Sequence, residues 1–373
     1  MPEITVLTAV RNGIKYLPAT LKSIQAQTFE DWELILVDDA SADDTPRLIE
    51  AEMKRDPRIK LIRRTQAGGP FVAAYDGLKY ASGKFIARTD ADDISLPQRF
   101  EQQLRFLKSH ANTKACASFC QSLDDNGLVD YFYTAPKYSG SLKWYLCLRC
   151  PLIHSSAFVE IKTLKNIYQS SPALKRYLEW SEEPQAGAYA VVPDVEDYRM
   201  WCVLARDQVL QVIPDVLVYY RHHGHRVSVL RKNEQEALAK EVLSEHLGKV
   251  TNRGWSSQQV NALYAASHGQ QFPIAAGLAA LNEWDGLWTV DNSLNENERD
   301  ELYRLSSFRR QRFLRSNARQ RPFDFMKYVS GLCLHSRRTL VEHLKDGLLA
   351  RSAEYPPVPR YNKLNAQNSI GLF

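Results

Sequence analysis

The first 110 residues alternate short apolar runs with amphipathic stretches, and this alternation constrains the fold more than any other feature of the chain. Short apolar runs are typical of buried strands, and amphipathic stretches are typical of helices. Strands interleaved with helices indicate βαβ units, which place the strands parallel in one sheet. The predicted strands are Ile4–Val10, Glu33–Val37, Ile59–Ile62 and Lys84–Ala87, and the predicted helices are Leu17–Gln27, Thr45–Arg55, Phe71–Ala81 and Pro97–Lys108.

Beyond this region the pattern changes. Two β-like runs flank Asp125-Asn126-Gly127, a sequence that indicates a hairpin turn. Residues 134–193 are expected to be irregular, whereas the composition after Leu230 favours helices. The predicted divisions are a domain at 1–230, with halves at 1–110 and 111–230, and a helical region at 231–373. The other predicted elements are a helix at Val195–Ala205 and a strand pair at Val209–Ile213 and Leu217–Tyr220.

Composition places the chain among globular proteins, because 44% of its 373 residues are hydrophobic and 24% are charged. A net charge of +5 is too small for a dedicated nucleic-acid binder, so we expect no nucleic-acid partner. The start of the chain lacks the pattern of a secretory signal, and no stretch has the roughly 20 apolar residues of a membrane span. We therefore expect a cytoplasmic protein whose six cysteines are reduced. Cys116, Cys120, Cys147 and Cys150 have spacings that would also fit zinc, although buried thiols explain the first pair better.

Two clusters of acidic residues follow predicted strands. Asp38, Asp39 and Asp43 come after the second strand, and Asp90, Asp92 and Asp93 come after the fourth. Ligands collect at the carboxyl ends of parallel strands, so both clusters are expected at one edge of the sheet. Helix capping explains one acid of each cluster but not three. Carboxylates are suitable acceptors for nucleoside donors, and they hold Mg²⁺ or Mn²⁺ together with substrate phosphates.

A third acidic motif, Pro193-Asp194-Val195-Glu196-Asp197, begins the predicted helix at 195–205. Negative charge is favourable at a helix N-terminus in any case. In a site that already holds a cation, however, a carboxylate is also the usual general base for a hydroxyl.

In their order and spacing, these motifs resemble those of the family 2 glycosyltransferases over about the first 230 residues. The resemblance implies the GT-A fold, an α/β fold with a Rossmann-like, mostly parallel sheet and flanking helices, here followed by the mainly α-helical region. It makes 1–110 the nucleotide-sugar-binding half and 111–230 the acceptor-binding half. It implies that the nucleotide-sugar binds at Asn12, Asp38, Asp39, Asp90 and Ala91, and that Mn²⁺ or Mg²⁺ binds at Asp92 and His223.

The resemblance also implies roles for residues of the second half. Asp197 would be the catalytic base, and Glu196 and His154 would lie on the acceptor side. His223 fits the family register better than His222, which is expected to be structural. The chain departs from the family at Tyr75-Asp76-Gly77, where many members carry Asn before the Gly.

The implied activity is inverting transfer of a sugar from a nucleotide-diphosphate sugar, with uridine as the base, to a hydroxyl of a saccharide or lipid-linked acceptor. Alternatives are a sugar nucleotidyltransferase, a metal-dependent phosphohydrolase that uses Asp90 and Asp92, and a non-catalytic GT-A binding module. A basic ridge is predicted in the C-terminal region, with Arg312, Arg315 and Arg319 on one helix face of Phe308–Arg321. With the mixed apolar and basic run Phe325–Leu349, it would allow peripheral contact with the inner face of a membrane. A solvated arginine face is the alternative.

Overall fold

A computed structural model describes residues 1–170, 195–224, 226–320 and 324–326. Within those ranges the chain forms two compact units. Of the described residues, the first unit contains 1–137 and those between 151 and 236, and the second contains 138–150 and those between 237 and 326.

The described strands of the first unit form one nine-stranded sheet in the order β3-β2-β1-β4-β8-β6-β9-β5, with β7 beside β6. Strands β1 to β4 are mutually parallel where they pair, whereas β8 runs antiparallel to both of its neighbours. Strand β9 is parallel to β6 and antiparallel to β5. The strands are β1 Ile4–Val10, β2 Trp32–Asp38, β3 Ile59–Arg63, β4 Phe85–Arg88, β5 Ile94–Ser95, β6 Ala115–Asp124, β7 Gly127–Tyr133, β8 Phe158–Glu160 and β9 Leu210–Arg221.

Helices follow the strands as the sequence pattern predicts. The helices are α1 Leu17–Gln25, α2 Thr45–Arg55, α3 Pro70–Leu78, α4 Arg99–Ser109, α5 Ser139–Tyr145, α6 Ile161–Ser170, α7 Glu196–Arg206, α8 Val227–Leu230, α9 Lys232–Thr251, α10 Ser257–His268, α11 Ile274–Thr289 and α12 Glu296–Gln320, with a 3₁₀ turn at His154–Ser156.

The core of the first unit is built from the apolar faces that the sequence pattern indicates. Leu17 and Leu21 of α1 pack with Ile4 and Val6 of β1, all at most 2% exposed. Helix α3 lies so close to the sheet that a Cβ atom on Gly77 would be 2.5 Å from Cδ1 of Leu7. A larger residue at this position would have to displace the Leu7 and Val37 side chains.

The second unit is helical and has its own aromatic core. Trp284, Trp288 and Phe313 are fully buried there, and Trp144 of α5 joins the same cluster. The Asp291 carboxylate accepts hydrogen bonds from Nε1 of Trp144 at 2.7 Å and from Lys143 Nζ at 2.8 Å. These bonds fix α5 inside the helical unit, although its sequence lies between strands of the sheet.

The predicted fold class is confirmed, but two local predictions are wrong. Residues 134–193 are not irregular throughout, because α5, β8 and α6 lie in their described part. The predicted strand pair at 209–213 and 217–220 is one strand, β9. Its pairing with β6 skips Pro214 and Asp215, so the proline occupies a bulge where no ladder hydrogen bond is needed. The predicted domain boundary at residue 230 stays a prediction.

Candidate active site

The acidic cluster after β4 lies at the carboxyl edge of the parallel strands. The backbone N–H of Asp90 donates to Oγ of Ser155 at 3.0 Å, and an Arg88 guanidinium nitrogen lies 3.4 Å from Oδ1 of Asp90. Oδ2 of Asp92 lies 2.7 Å from Nε2 of His223, which follows β9. The structure therefore brings together the two residues that the resemblance assigned to a metal, although 131 positions separate them in the chain.

The Asp92–His223 pair suits a small divalent cation. In an octahedral site with ion–ligand distances of about 2.1 Å, neighbouring ligand atoms lie about 3 Å apart. The distance of 2.7 Å between Oδ2 of Asp92 and Nε2 of His223 is close to this value. Among the residues that the structure describes, no group of three or more His, Cys, Asp or Glu side chains is placed to hold a metal. Two protein ligands leave positions for phosphate oxygens and water, which is the usual manner of binding Mg²⁺ beside a phosphate substrate.

Asp93 joins two strands and does not cap a helix. It is fully buried, and its Oδ1 accepts the backbone N–H of Arg221 at 2.8 Å. Burial, reinforced by the charges of Asp92 and Asp90, raises the pKa of Asp93 well above its usual range. Its backbone carbonyl accepts a hydrogen bond from Thr20 at 2.9 Å, so the acidic loop is also attached to α1.

Arg99, which the sequence analysis missed, supports the acidic loop from the interior. The guanidinium is fully buried, and its nitrogens donate five hydrogen bonds of 2.7 to 3.2 Å. Burial lowers the pKa of Arg99 to about 10, so the side chain is still a cation at neutral pH. It places a fixed positive charge near the carboxylates of Asp93 and Asp90. The acceptors are the side chains of Thr89, Ser95 and Gln103 and the carbonyls of Arg88 and Ala157.

The carboxylates at the end of β2 accept hydrogen bonds from backbone N–H groups of nearby loops. Asp39 is 3% exposed and accepts the backbone N–H groups of Gly68 and Gly69 at 2.9 and 2.8 Å. Arg64 adds an ion pair of 3.0 Å to the same carboxylate. Asp39 thus holds the β3–α3 connection in place, and direct contact with a nucleoside stays a prediction.

Asp38 and Asn12 form the adjoining loops. Oδ1 of Asp38 accepts the N–H of Ser41 at 3.2 Å. Oδ1 of Asn12 accepts the N–H of Ala42 at 2.8 Å, and its backbone N–H donates to Oγ of Ser41 at 2.9 Å. Asn12 has φ 52° and Ala40 φ 57°, so both strands end in left-handed turns. Asparagine tolerates that conformation, whereas alanine is strained there.

Asp197 lies in the first turn of α7 and is partly buried. Its Oδ1 accepts the backbone N–H of Tyr198 at 2.7 Å. Burial raises the pKa of Asp197 to about 6, with the charge of Asp90 adding to the rise and the Tyr198 hydrogen bond opposing it. A carboxylate with this pKa is deprotonated at neutral pH and is well matched to general base catalysis.

His154 and Glu196 are close to each other on the same side. Nδ1 of His154 lies 3.8 Å from Oε1 of Glu196, and both side chains are mostly buried. Burial, together with the charge of Arg88, lowers the pKa of His154 to about 3, so the imidazole is neutral. An acceptor-side role for either residue stays a prediction.

Tyr168 of α6 is a second residue that the sequence analysis missed. Burial and the neighbouring charges of Glu196 and Asp197 raise the pKa of its hydroxyl. Its ring packs 5.5 Å from Phe71 and 5.9 Å from Tyr75 of α3. The residues around the predicted base are therefore connected by aromatic packing to the helix after β3.

His222 and His223 have different surroundings. Nε2 of His222 lies 2.9 Å from the Tyr133 hydroxyl and 3.2 Å from Oγ of Ser122, so this ring joins β9 to the hairpin. His223 instead lies against Asp92. A structural role for His222 and a metal-site role for His223 stay predictions.

Comparison with known proteins agrees with this fold. The sheet resembles that of Staphylococcus aureus TarS 1–349, crystallised with UDP-GlcNAc, with a TM-score of 0.51, 15% identity and coverage of 86% of this chain and 92% of TarS 1–349. This likeness in fold agrees with the predicted GT-A fold.

The sequence comparisons identify the family. Residues 5–146 match the sequence model of glycosyl transferase family 2. An uncharacterised glycosyltransferase of Haemophilus influenzae is 28% identical over 254 residues, which cover 68% of this chain and 75% of the relative. Another from Methanocaldococcus jannaschii, MJ1057, is 25% identical over 249 residues, 66% of this chain and 79% of the relative. Residues 5–146 therefore carry the sequence of a family 2 glycosyltransferase domain, and the predicted resemblance to that family is confirmed.

Proposed function

We propose that this glycosyltransferase is metal-dependent and inverting, and that it moves a sugar from a nucleotide-diphosphate sugar to an acceptor hydroxyl during glycan, polysaccharide or lipid-linked saccharide synthesis. The observation that carries the proposal is the Asp92–His223 contact of 2.7 Å in the same unit as Asp197, a carboxylate whose pKa of about 6 suits a base. A uridine donor is supported by TarS, which was crystallised with UDP-GlcNAc.

In the proposed reaction, Asp197 accepts the proton of the acceptor hydroxyl while the hydroxyl oxygen attacks the anomeric carbon of the donor sugar. The bond between that carbon and the diphosphate breaks in the same step, so configuration inverts and no glycosyl-enzyme forms. Mn²⁺ or Mg²⁺ held by Asp92 and His223 would neutralise charge on the leaving diphosphate. Arg88 and Arg99 keep the carboxylates around Asp90 and Asp92 in place.

A screen of nucleoside diphosphates tests donor binding. UDP, GDP, CDP and dTDP are each added with Mn²⁺, with Mg²⁺ or with a chelator, and thermal stability is measured. We expect one diphosphate to raise the melting temperature only when a cation is present, because a ligand that binds the folded state stabilises it. An equal rise in chelator, or no rise for any of the four, contradicts the proposal.

The matching nucleotide-sugar then separates the competing reactions. A glycosyltransferase supplied with water alone releases free sugar and nucleoside diphosphate slowly, whereas a suitable acceptor takes up the sugar and accelerates release of the nucleoside diphosphate. A nucleotidyltransferase instead requires added pyrophosphate, with which it forms a nucleoside triphosphate and a sugar phosphate. A phosphohydrolase releases inorganic phosphate from the nucleoside diphosphate, and a binding module forms no product. Any of these three results rejects glycosyl transfer.

Peripheral membrane contact is the second part of the proposal and concerns α12. Arg304, Arg312, Arg315 and Arg319 of this helix are exposed and share one face, because they lie within about 80° at 100° per residue. Two other arginines of the predicted basic segment make contacts within the protein. Arg309 donates to the Ser267 carbonyl at 3.1 Å, and Arg310 forms an ion pair with Asp285. Arg321 lies outside the described residues. Of the run Phe325–Leu349, only residues 325 and 326 are described.

Sedimentation with liposomes tests this contact. Binding to vesicles with anionic lipid should exceed binding to neutral vesicles and should weaken with salt, because each basic residue near the surface contributes about 1 kcal/mol. Replacing Arg304, Arg315 and Arg319 together by Gln should remove most of the binding. Equal binding to both kinds of vesicle contradicts membrane contact and means that the arginine face of α12 is simply solvated. Among the described helices none is long and apolar enough to cross a membrane.

A further inference from the structure

Tyr16, which has no assigned role, packs directly on the proposed metal-binding histidine. It lies in the loop between β1 and α1. Its ring stacks on the imidazole of His223 with centroids 4.6 Å apart and planes inclined by 27°. The guanidinium carbon of Arg221 lies 5.0 Å from the same tyrosine ring. Tyr16 therefore contacts both residues that connect the end of β9 to the acidic loop.

Those two residues are themselves attached to Asp92. Nε2 of His223 lies 2.7 Å from Oδ2 of Asp92, and Nε of Arg221 donates to the Asp92 backbone carbonyl at 2.8 Å. Packing on the face of the imidazole restricts its rotation about χ2, a torsion with broad energy wells. The edge of the ring that carries Nε2 is thereby kept directed at Asp92.

The loop that carries Tyr16 is also tied to the β6–β7 hairpin. The Tyr16 hydroxyl donates to Oδ1 of Asp125 at 3.2 Å, and Lys15 Nζ lies 2.9 Å from Oδ2 of Asp125. Lys15 and Asp125 are more than half exposed, so solvent screens this ion pair and it constrains the loop only weakly. The stacked ring, not the hydroxyl, is therefore the stronger constraint on His223.

We propose that Tyr16 is a positioning residue whose ring holds the His223 imidazole in the orientation that faces Asp92, and so prepares this pair for a divalent cation and the donor diphosphate. The inference rests on the proposed function. The inference predicts different effects for the two parts of the Tyr16 side chain. Removing the hydroxyl should change cation-dependent binding of the nucleotide little, whereas removing the aromatic ring should weaken it.

Titration of Mn²⁺ in the presence of UDP, followed by calorimetry, tests the inference. Tyr16→Leu should weaken Mn²⁺-dependent UDP binding about tenfold, while Tyr16→Phe should stay within about twofold of the wild type. Tyr80→Leu is the matched control, because Tyr80 is exposed and lies on the surface after α3. Equal binding by Tyr16→Leu and the wild type overturns the inference. No Mn²⁺-dependent UDP binding by the wild type contradicts the uridine donor instead, which distinguishes the two failures.

A double-mutant cycle with His223 separates positioning from a general loss of structure. If Tyr16 acts through His223, then Tyr16→Leu should have no further effect on Mn²⁺ affinity in a His223→Gln background. Independent losses that multiply would show that Tyr16 acts by another route and would overturn the inference.

A spectroscopic measurement on the wild type covers the case in which Tyr16→Leu does not fold. The Hε1 signal of His223, assigned with His223→Gln, should lie upfield of an ordinary histidine because of the tyrosine ring current. In Tyr16→Phe the upfield position should remain. An unshifted signal in the wild type means that the rings do not stack in solution, and this result rejects the inference.

Discussion

The backbone N–H of Tyr198 donates a 2.7 Å hydrogen bond to Oδ1 of Asp197, and this bond holds one carboxylate oxygen at the first turn of α7. The same bond favours the charged form, yet burial and the charge of Asp90 outweigh it and keep the pKa near 6. The carboxylate is thus oriented by the backbone and remains basic enough to take a proton at neutral pH.

Asp197→Asn should lower sugar transfer by at least about a hundredfold, because the amide cannot accept the proton of the acceptor hydroxyl. Donor binding should change little, since nothing else about the acidic loop is altered. Steady-state rates and calorimetric UDP affinity are measured on the same preparation. Asp207→Asn, an exposed aspartate after the same helix, serves as the control. Near-normal transfer by Asp197→Asn would exclude it as the base.

The rate should depend on pH through the same carboxylate. A base must be deprotonated, so kcat should fall as pH decreases through about 6 and should be level above it. Saturating Mn²⁺ and UDP-sugar keep protonation of the metal site from limiting the rate. A lower limb near pH 4, the ordinary range of an aspartate, would show that the base is another group or that Asp197 is more exposed in the complex.

Asp39→Asn should loosen the β3–α3 connection. An amide can keep only one acceptor oxygen for the Gly68 and Gly69 N–H groups, and it loses the ion pair with Arg64. Leaving one buried donor unpaired costs about 1–3 kcal/mol in the free energy of unfolding. We also expect weaker UDP binding. Asp44→Asn, an exposed residue in the preceding loop, should change neither quantity, and a similar loss in both variants would contradict this role.

Arg99→Lys should destabilise the first unit although it keeps the charge. A lysine has three donors and no planar fork, so the five-bond arrangement with Thr89, Ser95 and three other groups cannot be restored. Breaking such a buried charged network costs about 3–5 kcal/mol. Urea unfolding measures the loss, and Arg105→Lys on the exposed face of α4 is the control. A change below about 1 kcal/mol would refute the role given to Arg99.

Glu33 should make the stability of the first unit depend on pH. Burial opposes its charged form, but Lys60 at 2.6 Å and hydrogen bonds from Thr5 and Ser82 lower its pKa from 4.5 to about 2. A lowered carboxyl pKa stabilises the fold above pH 4.5, and this contribution is lost as pH falls from 4.5 to 2.

The contribution of Glu33 is at most about 3 kcal/mol, because its partner Lys60 is half exposed and solvent screens part of the ion pair. The unfolding free energies of wild type and Glu33→Gln should therefore differ by up to that amount at pH 7 and converge toward pH 2. The exposed Glu30→Gln should track the wild type throughout. A difference that does not depend on pH would contradict the pKa assigned to Glu33.

Local pattern explains which elements could be predicted from sequence. Strand β1 and helix α2 match their predicted bounds, because apolar periodicity and turn residues determine them within about ten positions. The sequence predicts two strands, one on each side of Pro214, and only the pairing of β9 with β6 shows the bulge that tolerates the proline.

In the candidate site, too, local sequence patterns predict some residues, whereas others are recognised only from long-range contacts. The acids after β4 could be predicted, since strand-end carboxylates have a recognisable pattern. Arg99 could not, because its acceptors come from residue 88 to residue 157 and no local signal marks a buried arginine. Tyr16 was missed for the same reason: its significance depends on His223, which is near it only in the fold.

The late position of β9 in the chain affects when the enzyme can first act. Arg221 meets Asp93 across 128 residues, and His223 meets Asp92 across 131. At a synthesis rate of about 5–20 residues per second, roughly 6 to 26 seconds separate the emergence of these partners from the ribosome. A nascent chain can fold its first βαβ units in that interval without possessing the Asp92–His223 pair. Unfinished chains are therefore expected to be unable to consume nucleotide-sugar.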